Sequence, residues 1–168
     1  MRLLMAIMLS CSLLWPTTSS ASSATQPFII INKATNQLAF IRGGRIEAVY
    51  PVATGVTTAL TPEGLFTVKV KAKNPYYRKK SIPGGAPSNP LGTRWIGFDA
   101  QGTDGRIYGI HGTNNSQSIG RYVTQGCVRM HNRDVETLYE KIPEGTKVFI
   151  VRSNESFAVL ARQQGAMR

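Results

Sequence analysis

The chain is short of cysteine, histidine and acid. Its 168 residues hold two cysteines and two histidines, and nine acidic residues stand against twenty basic ones. Two cysteines 116 positions apart, Cys11 and Cys127, exclude a disulfide-dense scaffold. His111, Cys127 and His131 are three donors without a fourth, a poor structural zinc set. The chain has no internal repeat. Its longest apolar run, Leu3 to Trp15, falls short of the roughly 20 residues of a membrane-spanning helix.

That run belongs to a recognisable N-terminal pattern. Residues 1–24, MRLLMAIMLSCSLLWPTTSSASSA, order a basic residue, an apolar stretch and small residues as a secretory signal peptide does, with cleavage sites after Ala21 or Ala24. Lipidation at Cys11 or an uncleaved anchor fits the same residues less well, because the apolar run continues past Cys11. Cleavage leaves one domain long enough for a core of its own, residues 25–152, and a tail, 153–168. Only Arg2 is lost among the charges, so the formal charge drops from +11 to +10. Such a field draws polyanions. For an exported, extracytoplasmic protein these are anionic cell-wall polymers or membrane surface, and nucleic acid is not expected. A merely solvated basic surface is the competing reading. After cleavage Cys127 stands alone, either as a reactive thiol or as an inert buried one.

Short strand-like segments follow: FIIIN (28–32), QLAFIR (37–42), RIEAVYPVAT (45–54), LFTVKVKAK (65–73), WIGFD (95–99), RIYGIHG (106–112) and KVFIVR (147–152). NRDVETLYEKI (132–142) reads as one helix, with Val135, Leu138, Tyr139 and Ile142 on a stripe and Asn132 as N-cap. The tail can carry a short helix from Ser156 to Arg162. Between the strands, NPYYRKKSIPGGAPSNPLGTR (74–94) is a long polar stretch of a kind uncommon unless functional. Its Tyr76–Lys80 run serves as a substrate-facing lid or as a solvated loop. The fold class is mainly β.

His111 and Cys127 lie sixteen residues apart. A helix would separate them by about 24 Å, and Gly112, Gly120 and Gly126 oppose one. They meet only if GTNNSQSIG (112–120) folds back, setting His111 at one strand end beside Cys127. An imidazole about 3 Å from a thiol takes its proton and makes a nucleophile. The ring needs a third group to orient it, a backbone carbonyl or Asp99 or Asp104. Amides around Gly126 and Cys127 suit a developing oxyanion. In a strand from Cys127 to Met130, Arg129 shares the face of Cys127, where it can meet a substrate carboxylate or brace the site. His131, just before the helix, reads as structural.

IHGTNNSQSIGRYVTQGCVRMHNRDV resembles the catalytic segment of YkuD-type L,D-transpeptidases, in which a His-Gly-Thr or His-Gly-Ser precedes a Gly-Cys-x-Arg by a gap of this size. TPEGLFTV, NPLGTRWIGF and PEGTKVFIV resemble other parts of that family, so the likeness runs from about Phe28 to Arg152. It implies a sandwich-like β domain with one helix after the catalytic cysteine. It implies Cys127 as nucleophile, His111 as proton acceptor and donor, and Gly126 and Cys127 amides as oxyanion hole. Arg129, Thr113, Tyr108 and Gln125 follow as substrate-binding or site-bracing residues, with neither metal nor cofactor. Many family members carry Ser-His-Gly-Cys where this chain has Thr124-Gln125-Gly126-Cys127, which leaves His111 as the base.

The reaction implied is attack of the thiolate on a peptidoglycan tetrapeptide stem, release of terminal D-alanine, and transfer of the thioester to a stem amine as a 3→3 cross-link. Water as acceptor gives a carboxypeptidase and a protein amine gives protein anchoring. A monomer is expected. Caspase-like and sortase-type proteins space their His and Cys far more widely. A wall- or metal-binding module is the non-enzymatic rival.

Overall fold

The computed structural model describes residues 26–168; the expected signal peptide and Cys11 lie outside the described residues. Ten strands and two helices follow in order: β1 Phe28–Asn32, β2 Gln37–Arg42, β3 Arg45–Pro51, β4 Thr54–Gly55, β5 Gly64–Lys73, β6 Arg94–Phe98, β7 Tyr108–His111, β8 Tyr122–Thr124, β9 Val128–Arg129, α1 Asn132–Lys141, β10 Lys147–Val151 and α2 Phe157–Gln163. Eight strands form one sheet in the order β3-β2-β1-β10-β5-β6-β7-β9, and β4 pairs with β8. The architecture is mainly β, a curled sheet with two helices. The segment read as one strand over 45–54 is split, because Val52 and Ala53 leave β2 to bond Asn36 and Arg129 instead.

Curling is visible in the core. Ile29, Ile31, Leu38 and Phe40 from one half of the sheet join Ile96, Ile110, Val128 and Met130 from the other in one apolar cluster, closed by Val135, Leu138 and Ile142 at α1. Burial of each such side chain contributes about 1.5–3 kcal/mol. β1 is buried on both faces because α2 covers its back: Phe28, Ile30 and Ile41 meet Leu160, Ala161 and Ala166. The expected short helix is therefore α2, capped by Ser156 through Val159 N–H.

The start of α1 departs from expectation. His131, not Asn132, occupies the N-cap position, and its side chain caps nothing. Asn132 is the first helical residue, and its amide oxygen accepts from Thr113 N–H at 3.0 Å and Thr93 N–H at 3.4 Å. The side chain is spent on the turn that follows β7.

Candidate active site

Side chains alternate across a sheet, and the register of β5, β6, β7 and β9 sorts them cleanly. Ile96, Ile110 and Val128 point to the core. Their strand neighbours Ala72, Trp95, His111 and Arg129 form a ladder on the other face, paired Ala72↔Trp95, Trp95↔His111 and His111↔Arg129. That face floors a cleft of about 530 Å³ lined by His111, Cys127, Arg129, Trp95, Val70 and Ala72. Cys127 directly precedes β9 and shares the face of Arg129. The folded-back segment is a 3-10 turn at Ser116–Ser118, tied to the body by Gly120 N–H on Val52 O.

His111 is 4% exposed. Its Nδ1 lies 2.6 Å from Gly112 O; a carbonyl only accepts, so Nδ1 carries the proton and Nε2 keeps its lone pair. Asp99 and Asp104 are not the orienting groups: Asp99 accepts from Thr67 N–H and pairs with Lys69, and Asp104 pairs with Arg106. Burial lowers the His111 pKa from 6.5 to about 4, the Gly112 and Leu91 carbonyls opposing and the Arg129 charge assisting. The ring rests neutral. Trp95 stacks on it with centroids 5.6 Å apart, and the indole is itself held by Nε1–H on Gly105 O at 2.8 Å. Gly109 makes room for that indole: a Cβ there would meet Trp95 Cζ2 at 2.7 Å.

Cys127 is free and half-buried, its thiol donating to Ile107 O at 3.4 Å. Burial pushes its pKa up, against the Gly109 amide and the charges of Lys79 and Arg129. A neutral thiol thus shares the cleft with a neutral imidazole. The turn before Cys127 is clasped by one buried hydroxyl: Thr124 Oγ1 accepts from Gly126 N–H at 3.1 Å and donates to Cys127 O at 2.6 Å. This corrects the expected oxyanion hole in part. The Gly126 N–H is committed to Thr124, whereas the Cys127 N–H donates to no described group. Gly126 sits at φ +127°, and a Cβ there would lie 2.5 Å from Leu60 O and 3.1 Å from the Tyr108 ring.

The remaining expected residues divide. Gln125 is exposed at the cleft wall. Arg129 faces the cleft with no ion pair, and its Nε is buried without an acceptor. Tyr108 does not line the cleft; its hydroxyl donates to Gln101 and its ring packs against the core. Thr113 does not hold the imidazole, because its hydroxyl accepts from Asn115 N–H within the departing turn. His131 stays out of the cleft. Among the described residues no three His, Cys, Asp or Glu side chains cluster as a metal site, so His111, Cys127 and His131 do not act together as one.

The long polar stretch is the cleft's second wall. Pro75, Tyr76, Tyr77, Arg78, Lys79, Pro90 and Leu91 line it. Buried Asn89 holds this strap, donating to Pro75 O and Pro83 O and accepting from Leu91 N–H. Sequence reasoning missed Trp95, Thr124 and Asn132. Only Thr124 had a local signal, a hydroxyl two residues before a glycine, the spacing of a side-chain turn.

A thiol and a lone-pair imidazole lining one cleft are the equipment of an acyl-transfer enzyme. The L,D-transpeptidase catalytic domain model of the YkuD type matches residues 26–150, and the chain belongs to that family. YqjB of Bacillus subtilis strain 168 is 54% identical over 98% of this chain and 93% of its own length. YkuD of the same strain is 37% identical over 74% of this chain and 65% of its own. Both bear an L,D-transpeptidase name. The fold matches L,D-transpeptidase 3 from Mycobacterium tuberculosis, solved with a faropenem-derived adduct, at a TM-score of 0.60 and 17% identity, over 75% of this chain and 60% of that one. Among the described residues no helix is long and apolar enough to cross a membrane.

Proposed function

We propose that this chain is exported by its residues 1–24 and works outside the cytoplasm as a monomer, joining peptidoglycan tetrapeptide stems through a thioester on Cys127. The observation that carries this reading is that Cys127 and a buried His111 line one cleft, with the His111 Nδ1 held by Gly112 O so that Nε2 is left with the lone pair of a base. The thiol proton passes to Nε2 as sulfur attacks the carbonyl between the L- and D-centres. Charge that develops on the carbonyl oxygen meets the unspent Cys127 N–H. The C–N bond to terminal D-alanine breaks, and the imidazolium returns its proton to the departing amine. An amine of a neighbouring stem then attacks the thioester, His111 takes a proton from it, and sulfur leaves as a 3→3 link forms.

Resting neutrality of both groups supports a general-base route rather than a standing ion pair. Incubation with purified tetrapeptide-stem muropeptides tests the proposal by mass spectrometry. The expected products are a covalent adduct on Cys127 and a dimer lacking one terminal D-alanine. Tripeptide alone would make the protein a carboxypeptidase, and no adduct at all would overturn the proposal.

A further inference from the structure

Four cations line the cleft, Arg78, Lys79, Arg106 and Arg129, and no carboxylate does. Arg106 is neutralised by Asp104. Arg78, Lys79 and Arg129 enter no ion pair among the described residues. Arg78 and Lys79 stand exposed on a 3-10 turn, Arg78–Lys80, that carries no acid. The turn is not slack: Tyr77 and Ile82 exchange backbone bonds at its ends, and Asn89 ties the strap beneath it.

Arg129 approaches the reaction centre from β9 and Lys79 from the strap, and both charges are felt at the Cys127 sulfur. Apolar walls from Pro75, Tyr77, Pro90 and Leu91 sharpen such a field. A guanidinium with a buried, unaccepted Nε is matched by the two oxygens of a carboxylate.

We infer that the strap carries a carboxylate subsite: Arg78 and Lys79 bind the free side-chain carboxylate of the donor stem, so stems carrying that carboxylate are selected over their carboxamide forms. This rests on the transpeptidase reading above. An anionic polymer lying on the outer basic surface would raise the encounter rate of every stem without telling these forms apart.

The test compares Cys127 acylation by two synthetic tetrapeptide stems differing only in side-chain carboxylate against carboxamide. It uses the full chain and an Arg78→Gln, Lys79→Gln double variant, whose substitutions are both at exposed positions. The wild-type protein is expected to favour the free acid about 10- to 100-fold in kcat/KM, the size of a charge-assisted contact, with the difference falling on KM. The double variant should bring that ratio to within about threefold of one. A wild-type ratio near one, or an equal loss on both stems in the variant, overturns the subsite. Absence of any adduct from either stem overturns the transpeptidase reading and the subsite with it.

Discussion

The indole of Trp95 stacks on the imidazole of His111, rings 5.6 Å apart and 18° from parallel. The two are register partners across β6 and β7, so the sheet itself sets the stack. Removing the indole takes away both a packed core-edge group and the support of the ring. Trp95→Ala should cost about 3–5 kcal/mol of stability and slow acylation at least tenfold at temperatures where the variant stays folded. Trp95→Phe keeps a ring but loses the Nε1–H bond to Gly105, a cost of about 1 kcal/mol, and should acylate near the wild-type rate. Chemical denaturation and single-turnover mass kinetics read the two effects separately.

Asn132 reaches from the first turn of α1 to the amide of Thr113, two residues past His111. Asn132→Ala strands that donor, at about 1–3 kcal/mol, and frees the turn that carries the Gly112 carbonyl. Acylation should fall about tenfold. Asn132→Asp restores an acceptor and adds an acid to the first turn, where the helix field favours it, so it should recover most of the rate. Equal rates for Ala and Asp would show that the acceptor has no role.

Thr124 spends its one hydroxyl on both sides of the turn before Cys127. Thr124→Val keeps the shape and removes both bonds; Thr124→Ser keeps both. Val should lower kcat for acylation by about 10- to 100-fold with little change in KM, because the Cys127 N–H is no longer aimed. Ser should stay within about threefold of wild type.

Burial holds the His111 pKa near 4, below its ordinary 6.5, and raises that of Cys127. Iodoacetamide alkylation of Cys127 should therefore climb only in alkaline solution, with no plateau between pH 5 and 7. Such a plateau would mean a standing thiolate–imidazolium pair. Stability follows the same sign. The unfolded imidazole takes a proton below about 6.5 while the folded one stays neutral to about 4, so stability is lost as pH falls across that window. The loss amounts to roughly 3 kcal/mol. His111→Gln should flatten that acid limb of a Tm-versus-pH curve.

Much of this was legible in the chain. β-branched runs marked β1, β2 and β10 to the residue or nearly so, because these strands are bounded by turn residues that stop them. The Asn132 reading failed because a polar residue at a helix start looks alike whether it caps the helix or reaches across to another turn. Trp95 was hidden for a related reason: its partner lies sixteen positions on, and only the β6–β7 register joins them. The strap could not be told from a solvated loop, since what fixes it is one buried Asn89 bonded to carbonyls at both ends.

In the proposed mechanism His111 takes the proton of Cys127. Single-turnover acylation by a tetrapeptide stem at neutral pH, followed by intact mass in the wild type and in His111→Ala and His131→Ala variants, tests it most directly. Rapid adduct formation is expected in the wild type and in His131→Ala, and a loss of roughly 10²- to 10⁴-fold in His111→Ala. Comparable losses in the two histidine variants, or an adduct that survives Cys127→Ala, would contradict it.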